Sequence, residues 1–377
     1  MTGYPGILLA IIGFLAVIGP LVFVHELGHY LAGRLFGVMA ETFSIGMGKE
    51  IAGWTDRRGT RWKVSALPLG GYVKFAGDMG PASEPDPAWL RLPPEEKAKT
   101  LQGKPVWQRF LIVAAGPITN FIVAILIFAG FFAVYGVPRT PTIVASVMAG
   151  SAAERAGIRA GDRIVTIQGR SVSRFEQVAE MVFLRPGHHL TIGIERQGRV
   201  IELPATPQIV EEEDGTGNRV RRGLLGILPR AQVSVREGPV GVLGAACEAT
   251  WGTVRTITDV IGQILAGDRS ARELGGPLKI AQYSGQTVSM GPLALVRFMA
   301  LISINLGFIN LLPIPLLDGG HLFFYVIEGI RRRPLPAQAQ EWAFRSGLAL
   351  LLGFMLFVTV NDLASFGLWQ KLAGLIG

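Results

Sequence analysis

Four long stretches of this chain are free of Asp, Glu, Lys and Arg, and they restrict its fold more than any other feature. Met1 to His25 is the first, interrupted only by Glu26. Phe110 to Pro138 is the second and Phe298 to Leu317 the third, ended by Asp318. Ser346 to Asn361 is the fourth, and an apolar run continues past Asp362 to Gln370. A bilayer core takes about 20 apolar residues in helical form. The sequence therefore predicts four membrane spans, at 6–36, 108–136, 294–317 and 344–370. The first lacks a basic n-region and an A-x-A cleavage site and holds polar residues deep in its apolar run, so it reads as a retained span rather than a signal peptide.

Composition supports this. Apolar residues make up 49% of the 377 and charged residues 17%, against about 25% charged in a typical soluble domain. A disordered or nucleic-acid-binding chain is thereby excluded. The net charge of +8 reads instead as a topology signal facing an anionic membrane surface. A single cysteine, Cys247, excludes an internal disulfide framework and any multi-cysteine metal cluster. Lys49, Arg57, Arg58, Arg61, Lys63 and Lys74 follow span one, and Arg331, Arg332 and Arg333 lie between spans three and four. The charge bias puts both loops in the cytoplasm and both termini and the 139–290 segment outside.

The resulting expectation is an α-helical polytopic membrane protein with an inserted β-rich domain. Span one occupies 1–37, a cytoplasmic segment 38–107, span two 108–138, the β-rich domain 139–207, a linker with an amphipathic helix 208–293, span three 294–330, a cytoplasmic loop 331–343 and span four 344–377. Within the β-rich domain, Thr142 to Val144, Arg163 to Ile167, Leu190 to Arg196 and Val200 to Leu203 read as strands, with Gln197-Gly198 as a turn. Ser151 to Ala156 reads as a short helix ended by Gly157. The run Ala156-Gly157-Ile158-Arg159-Ala160-Gly161-Asp162-Arg163-Ile164-Val165, followed by Ile167-Gln168-Gly169, resembles a PDZ domain. Such domains bind an extended peptide as an added strand. Residues 211–222 read as a polar hairpin or linker. Trp251, Val254, Ile257, Ile261 and Ile264 fall at helical spacing over 250–266.

His25-Glu26-Leu27-Gly28-His29 lies inside span one. On a helix, positions i and i+4 share a face, so both imidazoles can reach one zinc ion, with Glu26 beside them as a base. Ionisable groups inside an apolar span are costly and mark functional sites by default. Catalytic zinc takes three protein ligands and keeps one position open. His188 and His189 belong to the outer domain. Asp318, which closes an apolar segment framed by Pro313, Pro315, Gly319 and Gly320, is a better third ligand than His321 beside it. Irregular backbone at membrane depth is tolerated only inside protein or beside water.

His25-Glu26-Leu27-Gly28-His29 in span one, a PDZ-like insert and Asn310-Leu311-Leu312-Pro313-Ile314-Pro315-Leu316-Leu317-Asp318-Gly319-Gly320 in a late span together resemble the site-2 protease family of intramembrane zinc metalloproteases. Pro68-Leu69-Gly70-Gly71-Tyr72-Val73-Lys74 is similar to that family's membrane-associated β-hairpin, and Gly116-Pro117-Ile118-Thr119-Asn120-Phe121 to its second-span motif. Glu273-Leu274-Gly275-Gly276-Pro277 and Asn305-Leu306-Gly307-Phe308-Ile309-Asn310 resemble the approach to its third span. Bacterial members of the regulator-of-sigma-E type often carry two tandem PDZ domains, and one is recognisable here. The resemblance implies that His25, His29 and Asp318 bind one catalytic zinc and that Glu26 is the base. It implies that Asn305, Asn310, Pro313, Gly70 and Gly71 hold the unwound substrate. The implied substrates are single-span membrane proteins, such as an anti-sigma factor in the second step of regulated intramembrane proteolysis, or remnant signal peptides. The implied setting is the bacterial inner membrane, in contact with lipid, with peptide or ectodomain contact at the outer PDZ domain, the metal nearer the cytoplasmic side, and no nucleic-acid partner.

Overall fold

A computed structural model describes residues 6–78, 92–183, 185–213, 219–267, 271, 274–333 and 335–365. Glu273 and residues 366–377, parts of the third-span approach and of the predicted fourth span, lie outside the described residues, as do 214–218 of the polar hairpin. The chain divides into two compact units. Among the described residues, four helices are long and apolar enough to cross a membrane.

The first unit holds 1–128, 247–258 and 271–377. Its leading helix, α1, runs Ile7–Leu35. Strands β1 (Ala40–Thr55) and β2 (Arg61–Phe75) follow, then a single turn α2 (Pro94–Lys97) and the long helix α3 (Val106–Tyr135), whose last residues pass into the second unit. The two strands fold on themselves. Residues 42–45 pair with 71–74 on one side and 61–64 on the other, while 52–55 pair with 61–64. The sheet thus has four rungs, with 71–75 as one outer edge. Gly46 and Gly48, at φ +85° and +87°, supply the left-handed backbone at the fold in β1. The sheet packs on α1 through Tyr30, Phe43, Val73 and Phe75, and Phe43 stacks on Trp62 with ring centres 4.3 Å apart.

The remaining helices of this unit are α7 (Pro277–Ser289), α8 (Pro292–Leu311), α9 (Asp318–Arg331) and α10 (Ala337–Ser365). Helix α7 lies directly on α1: a Cβ on Gly13 would fall 2.7 Å from the Ser284 backbone. Apolar side chains such as Leu8, Ile11, Leu350, Leu352 and Leu356 are exposed, as lipid-facing positions would be. Two predicted spans differ in extent. The third ends at Leu311 rather than 317, because Pro313 and Pro315 lack the N–H groups that would continue the helix and restrict the residues before them. The fourth begins at Ala337 rather than 344, because polar Gln338, Gln340 and Glu341 extend an apolar helix into its interface.

The second unit holds 129–246 and 259–270. It contains β3 (Val137–Arg139), β4 (Val144–Val147), α4 (Ala152–Arg155), β5 (Arg163–Ile167), β6 (Arg170–Ser171), α5 (Phe175–Phe183), β7 (Leu190–Arg196), β8 (Arg199–Ala205), β9 (Gln208–Glu213), β10 (Arg219–Leu224), β11 (Ile227–Pro229) and β12 (Val233–Val235). A four-stranded sheet in the order β6-β5-β7-β8 carries the core of Ile164, Ile167, Leu190, Ile192 and Ile194. Ser151 caps α4 by accepting from the Glu154 N–H. The β-rich body continues past residue 207, because β11 pairs with β4 and β12 with β3. The predicted strand at 142–144 begins two residues later, with Ile143 making only a single bridge to Arg163. The helix predicted over 250–266 is longer: α6 spans Pro239–Ala266, started by Pro239 at its first position and ended at Gly267 with φ +85°.

Candidate metal centre

His25 and His29 stand one turn apart on α1. Their rings meet edge to face with centres 4.9 Å apart, and their Nε2 atoms are 3.3 Å apart. Asp318, the first residue of α9, completes a triangle. Its Oδ2 lies 3.1 Å from His25 Nε2 and its Oδ1 3.4 Å from His29 Nε2. Both histidines are buried.

These spacings suit a metal. Zinc bonds of about 2.0–2.1 Å in a tetrahedron separate neighbouring ligand atoms by about 3.3–3.4 Å, and the three edges here are 3.1, 3.3 and 3.4 Å. Hydrogen bonding alone accounts for the triangle less well, since buried Asp318 Oδ2 lies 3.1 Å from His25 Nε2 without the alignment of a hydrogen bond. One cation held by the three would satisfy all of them. The donor set of two imidazoles and one carboxylate is that of catalytic zinc sites.

The backbone around each group explains its placement. Ile112 O on α3 lies 3.0 Å from His29 Nδ1, which donates to it when Nε2 faces a metal. Asn120 Nδ2, also on α3, lies 3.0 Å from His25 Nδ1. The two helices approach this closely because of glycines. A Cβ on Gly116 would fall 2.2 Å from His29 Nε2, and one on Gly28 would fall 2.6 Å from Ala115 O. Asp318 is delivered by the break at 312–317, where Leu316 takes φ +82°. Gly319 and Gly320 let this segment fold over the first turn of α9: Cβ atoms there would fall 2.1 Å from Leu312 O and 2.5 Å from Ile314 O. An ion pair of 2.6 Å between Arg109 and Glu328 ties α9 to α3, with the Arg109 guanidinium 4.9 Å from the Tyr325 ring centre.

Glu26 is buried beside the triangle and faces the sheet. A Cβ on Gly71 would fall 2.9 Å from Glu26 Cγ and 2.8 Å from Ser44 O, and the Val73 N–H donates to the Glu26 carboxylate. Of the residues singled out from sequence, His25, His29 and Asp318 meet at the triangle, with Glu26 and Gly71 against one another next to it. Gly70, at φ +75°, makes the turn into the outer strand. Asn305, Asn310 and Pro313 are not among the groups that meet at the triangle. Asn305 donates to Leu301 O within its own helix (2.9 Å), Asn310 is half-buried in the last turn of α8, and Pro313 is exposed in the break. The other histidines lie elsewhere. His188 and His189 bond to Pro186 and Thr206 in the β-rich unit, and His321 packs against the Phe344 and Tyr325 rings. Sequence reasoning missed the contacts of Ile112, Gly116 and Asn120. The visible signals were an amide inside a charge-free span and the Gly116–Phe121 motif that holds both Gly116 and Asn120.

The chain matches the model of peptidase family M50 over residues 13–354. It is 46% identical over 370 residues to a protein of Agrobacterium fabrum provisionally named a zinc metalloprotease, covering 97% of each chain. A similarly named protein of Rhizobium meliloti is 44% identical over 355 residues, covering 93% of this chain and 95% of the relative. Metalloprotease MmpA of Caulobacter vibrioides is 39% identical over 396 residues, covering 98% and 99%.

Proposed function

The chain belongs to peptidase family M50 and is a zinc metalloprotease of the membrane, and from that premise we propose that it hydrolyses a peptide bond within the membrane-spanning segment of its substrates. The observation that carries this reading is the His25–His29–Asp318 triangle: its two histidines stand on α1, a helix long and apolar enough to span a bilayer, and Asp318 follows the break that ends α8, another such helix. A metal centre on such helices serves a bond at membrane depth.

In this reading His25 Nε2, His29 Nε2 and a carboxylate oxygen of Asp318 hold one zinc. When bound, zinc supplies Lewis acidity that acidifies a water and polarises the scissile carbonyl. The Glu26 carboxylate takes the proton from the attacking water and delivers it to the leaving amine nitrogen. The Val73 N–H holds that carboxylate in place. A substrate helix must unwind first, because its peptide bonds are hidden in its own hydrogen bonds. The outer strand at 71–75 is suited to pair with the unwound segment as an added strand, which gives Gly70 and Gly71 their proposed role. Asn305 and Asn310 lie on α8 ahead of the break and Pro313 within it, where amide groups can satisfy freed backbone atoms.

We further propose that the β-rich unit is a PDZ-type domain outside the inner membrane that contacts trimmed ectodomains or their termini, with the metal nearer the cytoplasm. The two basic loops support this orientation. The proposed substrates are single-span proteins already shortened on their outer side, an anti-sigma factor or a remnant signal peptide among them.

Co-expression with a tagged single-span substrate truncated on its outer side tests the reading. Wild type is expected to cleave it, and Glu26→Gln is expected to bind about one zinc and not cleave. Equal cleavage by both would remove Glu26 from the mechanism.

A further inference from the structure

We infer that Asn120 is a positioning residue of the metal centre, whose side-chain oxygen accepts a hydrogen bond from His25 Nδ1 when zinc is bound. This holds His25 in the tautomer and ring plane that turn Nε2 to the metal. The inference rests on the reading of His25 as a zinc ligand.

Asn120 is fully buried in α3. Its Nδ2 lies 3.0 Å from His25 Nδ1, and its Oδ1 is buried with no hydrogen-bond partner. An amide N–H donating to a bare Nδ1 requires the imidazole proton on Nε2, the nitrogen aimed at Asp318. Zinc on Nε2 displaces that proton. A neutral imidazole then carries its proton on Nδ1, and the neighbour must accept rather than donate. A half-turn of the amide places Oδ1 there within the same shape, since the two amide atoms are nearly indistinguishable in size. Either orientation leaves one amide atom without a protein partner, so the state of the histidine decides between them.

The partner ligand provides an internal comparison. His29 Nδ1 already faces an oxygen of the same helix, Ile112 O, at 3.0 Å. With Asn120 turned, both histidines donate Nδ1–H to oxygens of α3, the usual outer-shell arrangement at zinc. The Asn120 backbone is held as well. Ser303 Oγ on α8 donates to Asn120 O at 2.8 Å, and a Cβ on Gly307 would fall 3.3 Å from Asn120 Cβ.

The test is a zinc titration of the purified full chain against a competing chelator, with Asn120→Leu, Asn120→Asp and His25→Ala. Asn120→Leu removes the acceptor and is expected to weaken zinc binding about 10–100-fold. Asn120→Asp keeps an acceptor and is expected to stay near wild type. Wild-type affinity in Asn120→Leu, or an equal loss in both Asn120 variants, would overturn the inference. Should Asn120→Leu fail to fold, ¹H–¹⁵N histidine spectra of the zinc-loaded wild type decide: the His25 Nδ1–H proton is expected well downfield, as when it is held by an oxygen acceptor, and a proton at the position of an unbonded N–H overturns the role. Zinc binding untouched by His25→Ala would overturn the ligand reading itself. Zinc lost in His25→Ala but kept in Asn120→Leu would overturn only the role of Asn120.

Discussion

At the scale of single residues, two glycines hold the site by what they lack, and they touch different parts of it. Gly116 lies against a ligand nitrogen, with no room for a Cβ 2.2 Å from His29 Nε2. Gly116→Ala must therefore move His29 or push α3 off α1. We expect it to cost about 1–3 kcal/mol of stability, the usual range for overpacking, and to lower the zinc content of the purified protein, read by elemental analysis. Gly71 lies against Glu26 and Ser44 O instead. Gly71→Ala should displace the outer strand and the carboxylate from one another while leaving the three ligands in place. The expected outcome is full zinc content with cleavage reduced on the order of 100-fold, since a displacement near 1 Å can cost that much. Loss of zinc in Gly71→Ala would show that the strand supports the metal as well as the base.

At the scale of elements, the joints between helices carry charges that the spans could not keep unpaired. Asp362, fully buried in α10, accepts from the Gly276 and Lys279 N–H groups at 3.0 Å each and so caps the start of α7 from another helix. The Asn361 amide donates to Leu274 O beside it. A carboxylate at a helix N-terminus satisfies orphaned donors and meets the positive end of the dipole. Asp362→Ala is expected to destabilise this joint by about 1.5–3 kcal/mol, the range for hydrogen bonds to charged groups. Faster amide exchange over 277–283, with exchange over 163–167 unchanged, would report it; unchanged exchange over 277–283 would refute it. Elements whose cause is local were legible in the sequence. Charge-free runs locate α1, α3, α8 and α10 because a bilayer admits little else, and the apolar residues over Leu190–Arg196 alternate as a half-buried strand such as β7 requires. The break before Asp318 was visible in Pro313, Pro315, Gly319 and Gly320. Elements whose cause lies far along the chain were not. The pairing of β11 with β4 joins residues about 80 positions apart, and the capping of α7 by Asp362 spans 86. The approach of Asn120 to His25 spans 95. Helix α5 was missed although Val178 and Val182, buried at i and i+4, announce one face of it.

At the scale of the whole molecule, the two units are stabilised by different chemistry and should fail under different conditions. In the β-rich unit Asp162 accepts two hydrogen bonds from the Arg196 guanidinium at 2.8 Å and one from the Arg159 N–H at 2.7 Å. Burial pushes the Asp162 carboxyl up, but Arg196 and the Arg159 N–H outweigh it and hold the group below the usual carboxylate range. A carboxyl depressed in the folded state contributes stability that is fully present above its unfolded value of about 3.9 and is lost as pH falls through the folded value. Asp162→Asn should therefore raise amide exchange over 163–167 and 190–196 at neutral pH by roughly one to two orders of magnitude, equivalent to about 1.5–3 kcal/mol. The gap between variant and wild type should close progressively below pH about 4; a gap that persists there would mean the carboxylate charge is not what Asp162 contributes. The first unit depends on metal instead. Its centre gains stability from whatever binds the folded state alone, in proportion to the logarithm of metal concentration over Kd. Chelation at neutral pH should accordingly loosen the turn around His25 and His29 and the start of α9 while leaving 163–167 and 190–196 protected. Equal loosening of both regions by chelator would show that the metal centre and the β-rich core unfold as one cooperative body.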